Sequence, residues 1–182
     1  MDYADVGPPP NIPPIHRPAP PLEDGGLVPQ PFTPSNALVN QMPPFLRQYF
    51  ANRHIERPAN VSAYGQPQQG LYSGGRVQMD RSTNDPKVLR HELLHAISGE
   101  HPKYRMDQFR FYGGLRAAMG DGSYLPDFYR KHFEGLQQRG DWPHIFVHLG
   151  ELTMDHPEWM PQGLQDYFAP LLPPVQNEQG PR

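Results

Sequence analysis

The chain has 182 residues, a formal net charge of −3 and a sequence pI near 6.3. It therefore lacks the basic balance of a nucleic-acid binder or of a protein held on anionic lipid. Hydrophobic residues make up 36%, below the roughly 45–50% of globular chains, and 25 prolines and 17 glycines point to an unfolded stretch beside a smaller folded one. The absence of cysteine excludes disulfides, thiolate zinc sites and a cysteine nucleophile, and no apolar run reaches the ~18 residues of a membrane span.

Eleven of the prolines fall in residues 1–34 without apolar periodicity. Residues 1–42 accordingly read as a disordered proline-rich leader, 43–172 as one folded domain and 173–182 as a flexible tail. Pro44 suits the first position of a helix that carries Phe45, Leu46, Tyr49 and Phe50 at helical spacing. Residues 60–75 read as loop, and Arg76 to Asp80 as a short half-buried strand. That strand is a candidate edge for pairing with an extended peptide. Asp85-Pro86 marks a helix start, Val88, Leu89, Leu93, Leu94 and Ile97 give the helix its apolar surface, and Gly99 is placed to stop it. A helix from Pro126 to about Arg139 is expected with Phe128, Phe133 and Leu136 inward. Phe109, Phe111, Tyr112, Tyr124 and Phe128 are expected in the core. A last long helix begins near Pro143 and ends at His156-Pro157. The expected fold class is α+β, with a short sheet, one helix bearing the chemistry and a second helix contributing to it.

The chemistry lies in His91-Glu92-Leu93-Leu94-His95. Residues four apart share a helix face, so both imidazoles can grip one metal ion, while Glu92 is offset from ligation but within reach of a bound water. Two histidines and a glutamate on a helix that is apolar almost all round are costly to bury without a purpose. Catalytic zinc takes a third protein ligand and keeps one position open. His101 lies past the expected helix stop and is a minor candidate. Glu151 is the stronger one, because His144, His148, Glu151 and Asp155 fall at i, i+4, i+7 and i+11 as a polar stripe on an apolar helix.

The HELLH stretch at 91–95 together with Glu151-Leu152-Thr153-Met154-Asp155 resembles the zincin metallopeptidases, in particular their glutamate-liganded branch, the gluzincins. The resemblance implies a small zincin-like domain that binds Zn2+ through His91, His95 and Glu151. It implies Glu92 as general base and Asp155 as an acceptor that orients a ligating histidine. His144, His148 and Tyr167 are the candidates for stabilising the oxyanion. The stretch from His156 to Phe168 is similar to the segment after the ligand glutamate in some bacterial toxin-type and effector peptidases.

The expected function is thus a zinc endopeptidase acting on protein or peptide substrates, with no nucleic-acid or membrane partner, as a monomer. Secretion into a host cell as a virulence effector is the expected location, with the cytoplasm as the alternative. A rival reading is a catalytically inactive, metal-stabilised interaction module that recruits partners through its proline-rich arm. A deformylase-type amidase also uses HExxH, but the cysteine ligand it needs is missing.

Overall fold

A computed structural model describes residues 42–172 apart from 52, 54 and 64. The leader, except for Met42, and the 173–182 tail lie outside the described residues. The fold is mixed α+β, with seven α-helices and two small sheets among the described residues. In chain order these are α1 (Pro44–Ala51), β1 (Ile55–Glu56), β2 (Val61–Ala63), β3 (Gln66–Gln68), β4 (Gly70–Ser73), β5 (Arg76–Met79), α2 (Pro86–Glu100), α3 (Pro102–Phe109), α4 (Gly113–Met119), α5 (Asp127–Gln138), α6 (Trp142–Asp155) and α7 (Gln162–Phe168). Among the described residues, no helix is long and apolar enough to cross a membrane.

The main sheet has the order β1-β5-β4. Strands β4 and β5 form an antiparallel hairpin that pairs Ser73 with Arg76, turned by Gly74 and Gly75 at φ +57° and +78°. Two successive positive φ values are what a two-residue hairpin loop needs, and glycine adopts them without steric cost. Strand β5 alternates as expected, with Val77 and Met79 fully buried. It is nevertheless the central strand, because β1 pairs with it in parallel on its other side. The expected edge role therefore passes to β4. Residues 60–75, expected to be loop, contain β2, β3 and all of β4. Their Gln- and Gly-rich strands are three to four residues long and show no apolar alternation to read.

Helix α2 starts where the capping signal puts it: the Asp85 carboxylate accepts from the Lys87 backbone N–H at 2.8 Å and Pro86 takes the first turn. It does not stop at Gly99 but runs on to Glu100. A side chain at Gly99 would meet the Tyr72 hydroxyl at 3.4 Å, so this glycine admits β4 close to the helix. The stop comes from Pro102, which disfavours the helical conformation at His101. Leu89, Leu93, Leu94 and Ile97 are fully buried in the same core as Ile145, Phe146, Val147 and Leu149 of α6. Each such side chain contributes about 1.5–3 kcal/mol of burial.

The aromatic expectations divide. Tyr112 is buried and Tyr124 packs half-buried on the core, but Phe109, Phe111 and Phe128 are 67%, 78% and 77% exposed. Phe111 and Tyr112 both adopt left-handed backbone, φ 54° and 56°, and this turn sends Tyr112 inward to meet Ser98 Oγ at 3.0 Å while Phe111 stays outside. On α5 the inward stripe is Tyr129, Phe133 and Leu136, and Phe128 lies about 100° around the helix from Tyr129.

Candidate metal centre

Helices α2 and α6 make the most extensive helix pair of the fold, and their polar residues meet in opposite chain order. His95 lies beside His144, His91 beside His148 and Glu151, and Arg90 beside Asp155. The pairing is therefore antiparallel, and it brings one histidine face of α2 onto the polar stripe of α6.

Two overlapping groups result. His91, His95 and His144 bring their ligand atoms within 4.8 Å of one another, and so do His91, His148 and Glu151. In the first group the ring centroids are 5.0 Å apart for His91 and His95, 4.9 Å for His95 and His144, and 6.0 Å for His91 and His144. Three imidazoles that share one tetrahedral ion through a single nitrogen each place their ring centres roughly 5 Å apart. The donor set thus fits a divalent metal ion.

Each of two rings is steadied by a carboxylate. His144 Nδ1 lies 2.7 Å from Asp141 Oδ1, which leaves Nε2 as its ligand atom. His91 Nδ1 lies 3.5 Å from Glu151 Oε1, which likewise leaves Nε2. A carboxylate on the far nitrogen fixes the tautomer and raises the basicity of the ligating one. His148 Nδ1 meets the other oxygen of Glu151 at 3.2 Å.

The structure divides the expected ligands between these two groups, His91 and His95 in the first, His91 and Glu151 in the second. Asp155 does not orient a histidine; both its oxygens pair with the Arg90 guanidinium, at 2.6 and 2.7 Å. Glu151 lies one helical turn nearer the histidines, where it joins His91 and His148 in the second group, while His144 completes the group that holds His91 and His95. Tyr167 stands outside the cluster, its hydroxyl donating to Asp107 Oδ2 at 2.8 Å among Tyr104, Phe146 and Phe168. His101 packs on Tyr104 and Phe45. Two participants escape the sequence reading. Asp141 is legible there only as a helix start, although its place three residues before His144 is the signal for it. His132 on α5, with its ring 5.0 Å from that of His148, has no sequence signal of its own.

No family model matches the chain, and neither does any curated protein or solved structure.

Electrostatics suit a metal centre. Burial, then the neighbouring His91, His144 and His148, pushes the His95 pKa down to about 3, so its imidazole is neutral and ready to ligate. Burial would raise Glu151, but hydrogen bonds from His148 and His91 outweigh it and bring its pKa to about 2. Glu92 is 7% exposed and faces β4, where the Tyr72 backbone N–H donates to it. Burial raises its pKa to about 7, against smaller opposing effects of His91 and that backbone donor. A cleft of about 710 Å³ opens over this wall, lined by Gly70, Val88, His91, Glu92, His132 and Glu151 among others.

Proposed function

We propose that the chain is a zinc-dependent endopeptidase. What carries the reading is the meeting of His91, His95 and His144 around one point, with Glu92 of the same helix lining the adjoining cleft. These three histidines would hold the ion, His144 and His91 through the nitrogens left free by Asp141 and Glu151. Zinc, when bound, supplies Lewis-acid polarisation of a carbonyl and acidifies water at neutral pH.

The protein's own part is positional and acid–base. Glu92 Oε accepts a proton from water in the cleft and returns it to the leaving amine, a role that needs a carboxylate held beside the metal position but not on it. The Tyr72 N–H and the packing of Gly70 fix that carboxylate in place. Edge strand β4 offers main-chain groups to an extended peptide along the same wall. His148, facing the cleft, is the remaining candidate for stabilising the oxyanion. Action on host proteins after export is part of the proposal on the sequence resemblance of residues 156–168 alone.

The test compares wild type with Glu92→Gln, both loaded with zinc, on a mixed peptide library. The variant keeps its metal and loses about 10²–10⁴-fold in hydrolysis. Fully loaded wild-type protein that cleaves no peptide would favour the metal-stabilised interaction module instead.

A further inference from the structure

Away from the cleft, large apolar side chains stand in solvent where α3 turns into α4. Met106 and Phe109, one turn apart on α3, are 53% and 67% exposed, and Phe111 in the turn that follows is 78% exposed. We infer that this turn and the hollow beside it dock an acidic segment of another protein, one that also carries a large apolar side chain. The inference does not rest on the metal centre.

The turn is built to hold its shape. Phe111 and Tyr112 both sit at positive φ, 54° and 56°, a backbone conformation that is costly for bulky side chains. The Phe111 N–H donates to Gln108 O at 2.9 Å and the Tyr112 N–H to Asp107 O at 2.8 Å. The Asp107 carboxylate accepts from the N–H groups of Gly114 at 2.6 Å and Leu115 at 3.0 Å, and from the Tyr167 hydroxyl at 2.8 Å. A Cβ at Gly114 would stand 3.1 Å from Asp107 Oδ1, so glycine lets the carboxylate close the turn. These bonds keep Phe111 outward.

The apolar tip is flanked by cations. The Arg105 guanidinium lies 5.6 Å from the centre of the Phe109 ring, and Arg110 falls between Phe109 and Phe111 in the chain. Tyr112 stacks on Trp142 at 6.5 Å, and the Arg116 guanidinium lies 4.3 Å from the centre of that indole. Arg116 and Trp142 line a hollow of about 750 Å³ with Met119, Gln137, Gln138 and Arg139. Arg105, Arg110, Arg116 and Arg139 are exposed and pair with no carboxylate among the described residues. The nearby acids are engaged, Asp107 within the turn and Asp141 on His144.

This chemistry selects the occupant. Guanidinium groups receive carboxylates through paired hydrogen bonds. Arginine beside phenylalanine, methionine and tryptophan is the composition of protein interfaces. A lipid surface would meet the apolar tip but has no part that fills the hollow between Arg116 and Arg139. The hollow lies at the opposite end of α5 and α6 from Phe128 and Leu152 of the cleft, so its occupant leaves the cleft open.

The experiment selects a displayed library of random peptides on the full chain carrying Glu92→Gln, which spares the peptides from hydrolysis. Enriched peptides are resynthesised and their binding is measured by fluorescence anisotropy. At least one class should combine Asp or Glu with Phe, Leu or Trp and lose affinity when its acids become amides or when salt is raised. Its Kd should weaken by on the order of tenfold or more in Phe111→Asn and in Arg116→Gln. Asn tolerates left-handed backbone, so Phe111→Asn removes the ring and keeps the turn; circular dichroism verifies that both variants fold. No enrichment, enrichment without acidic residues, or binding that is unchanged in Phe111→Asn overturns the proposal. Sedimentation with phosphatidylserine vesicles that depends on Phe111, in the absence of such peptides, overturns it in favour of a lipid surface. None of these outcomes bears on zinc content or hydrolysis.

Discussion

Asp141 holds His144 by its Nδ1 at 2.7 Å and caps the helix on which that histidine sits. One carboxylate thus fixes both the start of α6 and the orientation of a ring in the candidate metal centre. The two roles separate by substitution. Asn still caps a helix but does not anchor an imidazole as a charged acceptor does. Asp141→Asn should weaken zinc binding by about 10–100-fold with little change in the melting of the metal-free protein. Asp141→Ala should add a loss of about 1 kcal/mol in stability. Zinc titration and thermal melts in chelator check both.

Gly70 lies against Glu92. A Cβ there would stand 2.7 Å from Glu92 Cγ, 2.9 Å from its Oε1 and 2.9 Å from Val88 Cγ1. Gly70→Ala must therefore push the carboxyl out of place without touching any of the three proposed metal ligands. The expected result is unchanged zinc content with kcat reduced by up to about 10²-fold, the scale of a misplacement near 1 Å. Equal activity in the variant would separate Glu92 from the chemistry.

Binding to the folded state alone stabilises it by mass action. Zinc at 100 times its dissociation constant should add about 2.7 kcal/mol and raise Tm, and chelator should reverse the gain. His95→Ala should show no comparable gain. Thermal melts with and without zinc report both outcomes.

Away from the cleft, Glu100 closes the far end of α2. Its carboxylate accepts from Tyr49 at 2.7 Å and from Tyr72 at 2.8 Å, and it pairs with Arg53. Burial would raise its pKa, but these hydrogen bonds outweigh that effect and the net shift is downward from 4.5. A lowered folded-state pKa means the contribution is complete above the unfolded value and is lost as pH falls through the folded one. Thermal melts should therefore show wild type losing part of its advantage over Glu100→Gln on acidification below about pH 4.5. A constant difference between the two would contradict this linkage.

Much of this site is legible in the sequence because its signals are local. Asp85-Pro86, the i and i+4 histidines and the stripe on α6 each lie within one element, where helical periodicity places side chains directly. The illegible part depends on how elements meet. Which of His144 and Glu151 stands beside His95 is set by the axial offset of two antiparallel helices, which no single element reveals. Asp155 reads from sequence as a partner for histidine because its opposite number, Arg90, is identified only by that same packing. The central place of β5 depends on a two-residue strand, Ile55–Glu56, too short to show a pattern. Phe111 reads as a core residue because nothing local announces the left-handed backbone that it shares with Tyr112.

The most direct measurement is a zinc-edge anomalous difference map from crystals of the zinc-loaded wild-type protein. Its strongest peak should lie about 2.1 Å from one ring nitrogen each of His91, His95 and His144. No peak among these rings, or a strongest peak bound elsewhere, would contradict a metal centre built by α2 and α6.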